Sequence, residues 1–252
     1  MNEKDLLCAW RAEEEIAHIH GWDFSHIAGR SKEEPLPWDY RRVIEKYLTP
    51  EQRLLDIDTG GGEFLLSLGH PYENTAATEN YPPNVALCQK KLLPLGIDFR
   101  PAAGNGQLPF PDASFDVVID RHGDFNPVQI GRVLKPGGLF ISQQVGAEND
   151  RELVTLLCGQ VPMPFSEQYA SLAADGFRRA GFTILRQEEV FRPIRFYDVG
   201  ALVWFARVLP WEFADFSVDT HFSNLLQAQK ILEETGAIEA RIHRFLLVAQ
   251  KQ

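Results

Sequence analysis

Short apolar runs alternate with segments of helical spacing over most of this chain, and glycine, proline or acidic residues bound many of the runs. Such runs are typical of buried strands, whereas apolar residues three and four positions apart are typical of amphipathic helices. The pattern predicts strands at residues 54–57, 75–78, 97–100, 115–119, 139–144, 183–190 and 242–249. It predicts helices at residues 6–19, 39–48, 63–68, 84–93, 128–134, 150–157, 166–180 and 225–234. Strands and helices that alternate in this way indicate an α/β fold with a parallel sheet and helices on both faces.

Two segments interrupt the alternation and define the organisation that we expect. Residues 1–35 form an N-terminal cap segment, whose first predicted helix ends at Gly21. Residues 191–222 are dense in aromatic side chains and form a cap insertion. The core then spans residues 36–190, and a final helix and strand occupy residues 223–252. The chain has no internal repeat and no low-complexity linker, so we expect a single domain of 252 residues.

The charge and cysteine content restrict the classes of partner. A formal net charge of −10 opposes binding to the phosphate backbone of nucleic acids, so a small molecule is the expected partner. The three cysteines form no CxxC pair, which argues against a zinc site and favours a reducing, cytoplasmic location. No apolar run reaches the ~20 residues that a membrane span needs, so no membrane contact is expected. The sequence leaves the oligomeric state open.

A glycine turn follows the first core strand and is the most informative motif. Asp56 ends the strand, and Gly60 and Gly62 have the GxG spacing that lets a ligand approach the backbone closely. The third glycine of the dinucleotide fingerprint would fall at Leu65, which argues against a nicotinamide cofactor. A purely structural tight turn is the alternative reading of this motif.

Polar residues at the ends of the next strands extend the candidate site. Glu79 follows the second strand roughly 20 residues after the turn, where an acidic side chain is placed to accept ribose hydroxyls. An acid stabilised by a helix N-terminus is the alternative for Glu79. In the segment Gly104-Asn105-Gly106-Gln107, an amide such as Asn105 or Gln107 is suited to read the edge of a heterocycle. An ordinary β-turn is the alternative there.

The fourth core strand ends in Asp120, Arg121 and His122, and ligands of open parallel sheets lie outside the carboxyl ends of strands. His122 is a candidate general base because its unperturbed pKa lies near neutrality. Arg121 is a second candidate catalytic residue, or a binder of a carboxylate. A histidine that only orients the end of the strand is the alternative for His122.

Three segments together carry a family resemblance. Residues 54–62 read LLDIDTGGG, residues 108–118 read LPFPDASFDVV, and residues 132–138 read RVLKPGG. In this order they resemble the motifs of class I S-adenosylmethionine-dependent methyltransferases, and the type 11 group in particular. The resemblance implies a Rossmann-like, doubly wound, mostly parallel seven-stranded sheet with the last strand antiparallel, together with the aromatic-rich cap.

The resemblance also implies S-adenosyl-L-methionine as the cofactor, and the histidine and cysteine pattern gives no reason to expect a metal. The resemblance implies cofactor contacts by Asp56, Gly60 and Gly62, a ribose contact by Glu79 and adenine contacts around Asn105. Together with their neighbours at the same strand ends and loops, the residues expected to bind the cofactor are Asp56, Asp58, Gly60, Gly62, Glu79, Asn80, Asn105, Gly106, Gln107 and Asp120. Two positions depart from the family pattern. Asp58 stands where the family usually has glycine, and Gly104 stands where it often has an acid. Asp58 is placed either to pair with the cofactor's ammonium group or to repel its carboxylate.

Methyl transfer from a sulfonium needs orientation and exclusion of water more than a catalytic triad, and no triad is evident in this sequence. The expected function is methyl transfer to a small-molecule acceptor. Two alternatives stay open at this point. One is an RNA methyltransferase, which the acidic charge opposes. The other is a protein that binds S-adenosylmethionine without transferring its methyl group, which Asp58 makes more credible.

Overall fold

The structure is a computed structural model that describes residues 2–19 and 23–252. Its helices are α1 (Glu3–Glu15), α2 (Tyr40–Glu45), α3 (Glu63–Ser67), α4 (Pro82–Lys91), α5 (Pro127–Val133), α6 (Arg151–Cys158), α7 (Ala170–Arg179), α8 (Val199–Val208) and α9 (Phe222–Thr235). Its strands are β1 (Ser31–Glu33), β2 (Leu54–Ile57), β3 (Thr75–Glu79), β4 (Asp98–Pro101), β5 (Phe115–Arg121), β6 (Leu134–Val145), β7 (Phe182–Phe196) and β8 (Ile238–Lys251).

The strands form one sheet in the order β1-β7-β8-β6-β5-β2-β3-β4. Strands β2 to β6 pair in parallel, and β8 runs antiparallel to β6. The predicted Rossmann-like α/β fold and its antiparallel last strand are therefore confirmed. The sheet has eight strands where seven were expected, because the short strand Ser31–Glu33 pairs with the end of β7. That strand is polar, so its sequence carries no apolar run to reveal it.

The chain divides into two compact units. The unit that holds the candidate site comprises residues 37–146, 168–189 and 244–252. Its strands β2 and β5 are almost wholly buried, which fits the near-continuous apolar runs expected of a parallel sheet covered on both faces. The rings of Phe140 and Phe177 stack at 4.6 Å within its core.

The other unit comprises the residues up to Leu36, residues 147–167 and residues 190–243. At its centre lies α8, in which all but one residue is buried. The Asp198 side chain caps this helix by accepting a hydrogen bond from the amide of Ala201 over 2.8 Å. No helix was predicted here because α8 is apolar on every face and therefore lacks amphipathic spacing.

Several predicted boundaries were wrong by a few residues. Helix α1 ends at Glu15 rather than at residue 19, and Gly21, expected to end it, lies outside the described residues. Helix α7 begins at Ala170 rather than at residue 166. Strand β7 continues to Phe196, since its last three residues pair with β1. Terminal residues depend on such tertiary pairing, which local sequence does not encode.

Candidate functional site

Parallel register brings three acidic side chains to one edge of the sheet. Asp56 lies opposite Ala77 of β3 and Ile119 of β5, and Ile57 lies opposite Asp120. Glu79 ends β3 at the same edge. Asp56, Glu79 and Asp120 are all buried. Because the carboxyl ends of parallel strands converge at this edge, three residues distant in sequence form one acidic cluster.

Burial raises the pKa of three aspartates at this edge of the sheet, Asp56, Asp58 and Asp120. Burial raises the pKa of Asp56 to about 7, although the Thr59 hydroxyl and Arg121 act in the opposite direction. Burial, with the nearby charge of Glu79, raises the pKa of Asp58 to about 6, against hydrogen bonds from two backbone amides. The pKa of Asp120 is raised well above its ordinary range by burial and then by the charge of Asp58. A cationic ligand bound beside these carboxyl groups would favour their ionised form and lower their pKa.

Glu79 holds the glycine turn in place. One carboxylate oxygen accepts hydrogen bonds from the amide of Gly60 over 2.7 Å and from the Asn84 side chain over 3.4 Å. The other accepts from the amides of Asn80 and Tyr81 over 2.8 and 2.9 Å. A carboxylate offers about four acceptor sites, so these four donors use its capacity. A ribose hydroxyl at Glu79 would displace the weakest partner, Asn84.

Asp58 joins two loops that follow different strands. These are the β4 loop (residues 102–107) and the β5 loop (residues 122–126). Oδ1 of Asp58 accepts a hydrogen bond from the amide of Gly104 over 3.2 Å, and Oδ2 accepts one from the amide of Asp124 over 3.1 Å. Asp58 itself has a φ of 51°, in the left-handed region that favours glycine. The residue that departs from the family pattern is thus a strained bridge between the loops.

The glycines beside this bridge allow a very close approach of the two loops. A Cβ atom at Gly104 would lie 2.1 Å from the carbonyl oxygen of Asp124. A Cβ atom at Gly123 would lie 2.6 Å from Cβ of Asp58. No side chain fits at either position in this arrangement, so the acid often found at position 104 has no room here. The two departures from the family pattern, Asp58 and Gly104, therefore belong to one contact.

Arg121 and aromatic rings form the other side of the site. The Arg121 guanidinium lies 4.7 Å from the centre of the Phe64 ring, and Tyr40 stacks on Phe64 at 5.4 Å. The Tyr40 hydroxyl lies within 3.0 Å of the carbonyl oxygens of Asp120 and Ile141, so α2 is tied to the ends of β5 and β6. Phe64 was not predicted as a site residue from the sequence. Its position two residues after Gly62, at the start of α3, is the signal that marks it.

A small pocket lies between the acidic cluster and the side of the site that Arg121 and Phe64 form. Its lining residues are Asp56, Asp58, Thr59, Phe64 and Arg121, and its volume is about 30 Å³. A water molecule needs roughly 10–15 Å³ on this scale, so the pocket has room for a small polar group. Two acids and one guanidinium around it suit a ligand that carries both an ammonium and a carboxylate group.

His122 lies beside the site with its ring engaged by a neighbour. Its Nε2 atom lies 3.1 Å from Nε2 of Gln143, and Oε1 of Gln143 accepts a hydrogen bond from the indole of Trp38 over 2.9 Å. Burial lowers the pKa of His122 well below its ordinary value, and the charges of Arg244 and Arg121 add to this effect. At neutral pH the ring is uncharged.

The remaining residues predicted to bind the cofactor lie around this edge. Asn105 is exposed, and its side-chain amide donates to the Asp124 carboxylate over 3.0 Å. Gly106 closes a turn through a hydrogen bond from its amide to the Ala103 carbonyl. Gln107 and the side chain of Asn80 are exposed. Gly62 is the N-cap residue of α3 and has a φ of 78°. Their contacts with a ligand stay predictions.

The other two motif segments are joined by one side chain. The Arg132 guanidinium donates hydrogen bonds to the carbonyl oxygens of Leu108 and Phe110, each over 2.7 Å, and to the Asp112 carboxylate over 2.9 Å. Arg132 thereby fastens the segment that follows the β4 loop to α5. These hydrogen bonds give Arg132 a structural role, which motif recognition alone does not reveal.

The charged and polar side chains of the site can be compared with the chemical groups of the cofactor that the motifs imply. The acidic cluster supplies carboxyl groups that a nearby sulfonium or ammonium group would favour in their ionised form. Arg121 supplies positive charge for a carboxylate, and Glu79 supplies acceptors for the ribose. The charges therefore fit S-adenosylmethionine, provided that Asp58 releases the two loops it joins. Among residues 2–19 and 23–252, no group of three or more His, Cys, Asp or Glu side chains is arranged to hold a metal ion.

Comparison with known proteins supports the motif assignment. Residues 55–142 match the family described as methyltransferase domain. The predicted resemblance to class I methyltransferases is therefore confirmed over this segment. No match to a curated protein was found. No helix in the described part of the chain combines the length and apolar character needed to cross a bilayer.

Solved structures with the same fold are similar to this chain at low sequence identity. A methyltransferase-like protein from Bacillus halodurans C-125 is 17% identical with a TM-score of 0.57, over 84% of this chain and 98% of that one. The YcgJ protein of Bacillus subtilis is 17% identical with a TM-score of 0.58, over 84% and 97%. The [4+2]-cyclase SpnF is 20% identical with a TM-score of 0.51, over 84% and 79%. Identities in this range establish the fold alone.

Proposed function

We propose that this chain, whose residues 55–142 match the methyltransferase domain, is an S-adenosyl-L-methionine-dependent methyltransferase acting on a small molecule in the cytoplasm. One observation carries the proposal. Asp56, Glu79 and Asp120 are buried together at the carboxyl ends of three strands. Burial raises the pKa of both aspartates, so a ligand that brings positive charge stabilises the cluster.

Each cofactor group has a candidate partner in the chain. Asp56 is placed to attract the ammonium group, and Arg121 the carboxylate, at the small pocket that both residues line. Glu79 is assigned to the ribose, and Asn105 and Gln107 to the adenine. When bound, the cofactor supplies an activated methyl group on a positively charged sulfur. The chain contributes binding, orientation and exclusion of water, which suffice for an in-line displacement.

The charge of the chain supports a small-molecule acceptor over RNA. A net charge of −10 repels phosphates and gives no general attraction for a polynucleotide. The acceptor itself is assigned only to the class of small molecules.

A second candidate is a protein of this fold that does not transfer a methyl group. The bridge formed by Asp58 between the β4 and β5 loops favours it, because the carboxylate lies at a position where the family usually has no side chain. One similar structure is named for a [4+2]-cyclase, a reaction other than methyl transfer. Binding without transfer is the outcome that this candidate predicts.

Calorimetric titration with S-adenosylmethionine and S-adenosylhomocysteine tests the proposal. We expect binding by the wild-type chain and none by Gly60→Val, since Gly60 lies in the glycine turn with a φ of 64°. Absence of binding by the wild-type chain would refute the proposal. Near-wild-type affinity in Gly60→Val would refute the placement of the cofactor at this turn.

Transfer of a labelled methyl group into a metabolite extract then separates an enzyme from a binder. Label in a small-molecule fraction is the expected result. Binding without any transfer supports the second candidate. Salt-sensitive retention of RNA, with label recovered in the RNA, would support the RNA alternative instead.

A further inference from the structure

A chain of three side chains sets the orientation of His122. Nε1 of Trp38 donates a hydrogen bond over 2.9 Å to Oε1 of Gln143, and Nε2 of Gln143 lies 3.1 Å from Nε2 of His122. Trp38 and Gln143 are both buried. Buried polar groups of this kind are expected to use their hydrogen-bonding capacity fully, so each proton in the chain has a defined place.

The indole determines the direction of every bond in this chain. An indole nitrogen is a donor only, so the Gln143 atom facing Trp38 is the acceptor oxygen. The Gln143 atom facing His122 is therefore the NH₂ group, which is a donor only. Nε2 of His122 must accept this hydrogen bond, and its lone pair is occupied. The proton of the neutral ring then resides on Nδ1.

Each alternative arrangement leaves two donors facing each other at one end of the chain of bonds. Rotating the Gln143 amide by half a turn would place its NH₂ group against the Trp38 N–H, so that two donors face each other. Each buried donor left without an acceptor costs about 1–3 kcal/mol. Protonation of Nε2 without that rotation would likewise place two N–H groups 3.1 Å apart. The observed orientation avoids both conflicts.

The backbone adds a further constraint on His122. Its amide donates to the carbonyl oxygen of Gln143 over 2.9 Å, so the same residue holds both the main chain and the ring. His122 has a φ of 67°, in the left-handed region that a residue with a side chain rarely adopts. Strained backbone of this kind persists where the surroundings over-determine it, and it is enriched at functional sites.

We propose that Trp38 and Gln143 are positioning residues that hold His122 as a neutral Nδ1–H tautomer, so that His122 serves as a hydrogen-bond donor and not as a general base. The charges that act on the ring come from Arg121 on β5 and Arg244 on β8, and both are cations. Both oppose formation of an imidazolium. The hydrogen-bond geometry and the surrounding charge therefore favour the same state.

This assignment, which rests on the proposed function for its chemical consequence, restricts the acceptor. Without a histidine base, the attacking atom of the acceptor must bring its own available lone pair. A neutral amine or an already ionised thiol or oxygen meets this requirement. A general base typically contributes 10²- to 10⁴-fold to a rate, so replacing a histidine that is no base has a much smaller effect.

Nuclear magnetic resonance of the ligand-free protein tests the tautomer directly. In protein labelled with ¹⁵N-histidine, long-range ¹H–¹⁵N spectra distinguish the two neutral tautomers and the imidazolium. The His122 signals are identified by their loss in His122→Gln. We expect an unprotonated Nε2 and a protonated Nδ1 from pH 8 down to pH 5.5. An Nε2–H tautomer or an imidazolium at pH 7 would overturn the proposal.

Two variants test the chain of bonds. Gln143→Glu keeps the acceptor for Trp38 but presents a carboxylate to His122, so we expect an imidazolium to appear between pH 5.5 and 8. Trp38→Phe removes the donor that orients the amide, so a mixture of tautomers is expected. Thermal unfolding checks that each variant folds. If Trp38→Phe does not fold, Gln143→Glu and the wild-type spectrum decide, and an unchanged tautomer in Gln143→Glu contradicts the role of Gln143.

Measurements of methyl transfer and of cofactor binding separate this proposal from the proposed function. With the labelled-methyl assay in extract, His122→Gln should lose less than tenfold of the transfer rate. A loss of a hundredfold or more would restore His122 as a base. If the protein binds no S-adenosylmethionine but shows the expected spectrum, the proposed function fails, while the tautomer and its two positioning residues stand.

Discussion

The carboxylate of Asp58 accepts a hydrogen bond from the backbone amide of Gly104 over 3.2 Å, which joins the turn after β2 to the loop after β4. Its other oxygen accepts from the amide of Asp124 in the loop after β5. Family members usually have glycine at position 58 and often an acid at position 104. In this arrangement position 104 must be glycine, because a Cβ atom there would lie 2.1 Å from the carbonyl oxygen of Asp124 and 3.0 Å from Oδ2 of Asp58.

Replacing Asp58 by glycine should increase cofactor affinity. The change removes a carboxylate that carries a raised pKa of about 6 and releases the amides of Gly104 and Asp124. It also relieves the strained φ of 51°. We expect at least tenfold tighter binding of S-adenosylhomocysteine, measured by calorimetry at pH 7.5. Weaker binding would show instead that Asp58 is a direct partner of the cofactor's ammonium group.

The hydrogen bonds that Asp58 accepts from the two loops can also be tested by amide hydrogen exchange without a ligand. In Asp58→Gly the amide protons of Gly104 and Asp124 lose their acceptor, so their exchange with solvent should accelerate at least tenfold. Asp58→Asn is the matched control, since it keeps one acceptor oxygen and removes the charge. Its exchange rates should lie between those of the wild-type chain and Asp58→Gly. Unchanged exchange in both variants would contradict the bridge.

The raised pKa of Asp56 makes a prediction about pH and stability. Its pKa is about 7 in the folded chain against an ordinary value of 3.8, so the folded state holds the proton more tightly than the unfolded state. This contribution is fully present below about pH 4 and is lost as the pH rises through 7. Asp56→Asn removes this titration. Its effect on the free energy of unfolding should therefore be more stabilising at pH 8 than at pH 4, by up to about 4 kcal/mol. Urea unfolding at both pH values measures the difference.

Asp116→Asn is a control of opposite sign for that experiment. The Lys135 ammonium, 2.7 Å from Asp116, holds the pKa of this carboxyl below its ordinary value despite partial burial. Stability from this pair is present above about pH 4 and is lost as the pH falls below the ordinary range of an aspartate. Asp116→Asn should therefore destabilise the chain at pH 8 and have little effect at pH 2. A stabilising effect at pH 8 in both variants would contradict the assignment for Asp56.

Arg121 offers a test that separates binding from folding. The side chain is exposed and stacks on Phe64, so Arg121→Gln should change the melting temperature by less than about 2 °C. The same change removes the guanidinium assigned to the cofactor's carboxylate, and affinity should fall at least tenfold. Arg121→Lys keeps the charge without the planar pair of donors, so its cofactor affinity should lie between those of the wild-type chain and Arg121→Gln. Wild-type affinity in Arg121→Gln would remove Arg121 from the site.

We expect Arg132 to contribute to the stability of the fold and not to the charge of the candidate site. Arg132→Gln loses the hydrogen bonds to the carbonyl oxygens of Leu108 and Phe110, so the free energy of unfolding should fall by about 2–3 kcal/mol. Arg178→Gln is the matched control. Arg178 pairs with Asp175 on the exposed face of α7 and should contribute less than about 1 kcal/mol. Equal losses in chemical denaturation would contradict the structural role of Arg132.

Much of the fold was evident in the local pattern of residues. The apolar run 54–57 and the acidic residue at its end identify β2 and the start of the site, because a buried parallel strand must be apolar nearly throughout. The spacing from Asp56 to Glu79 likewise places both acids at adjacent strand ends. Helix α8 was missed, since a helix buried on all faces has no amphipathic period.

Three-dimensional contacts decided what the individual site residues do. The sequence determined the fold class, the motif order and the group of acids, because apolar periodicity and turn chemistry act over a few residues. It did not reveal that Asp58 bridges two loops, or that Trp38 sets the proton on His122 through Gln143. Asp58 lies 46 and 66 positions from Gly104 and Asp124, and Trp38 lies 105 positions from Gln143. Only the packed sheet brings their atoms within hydrogen-bonding distance.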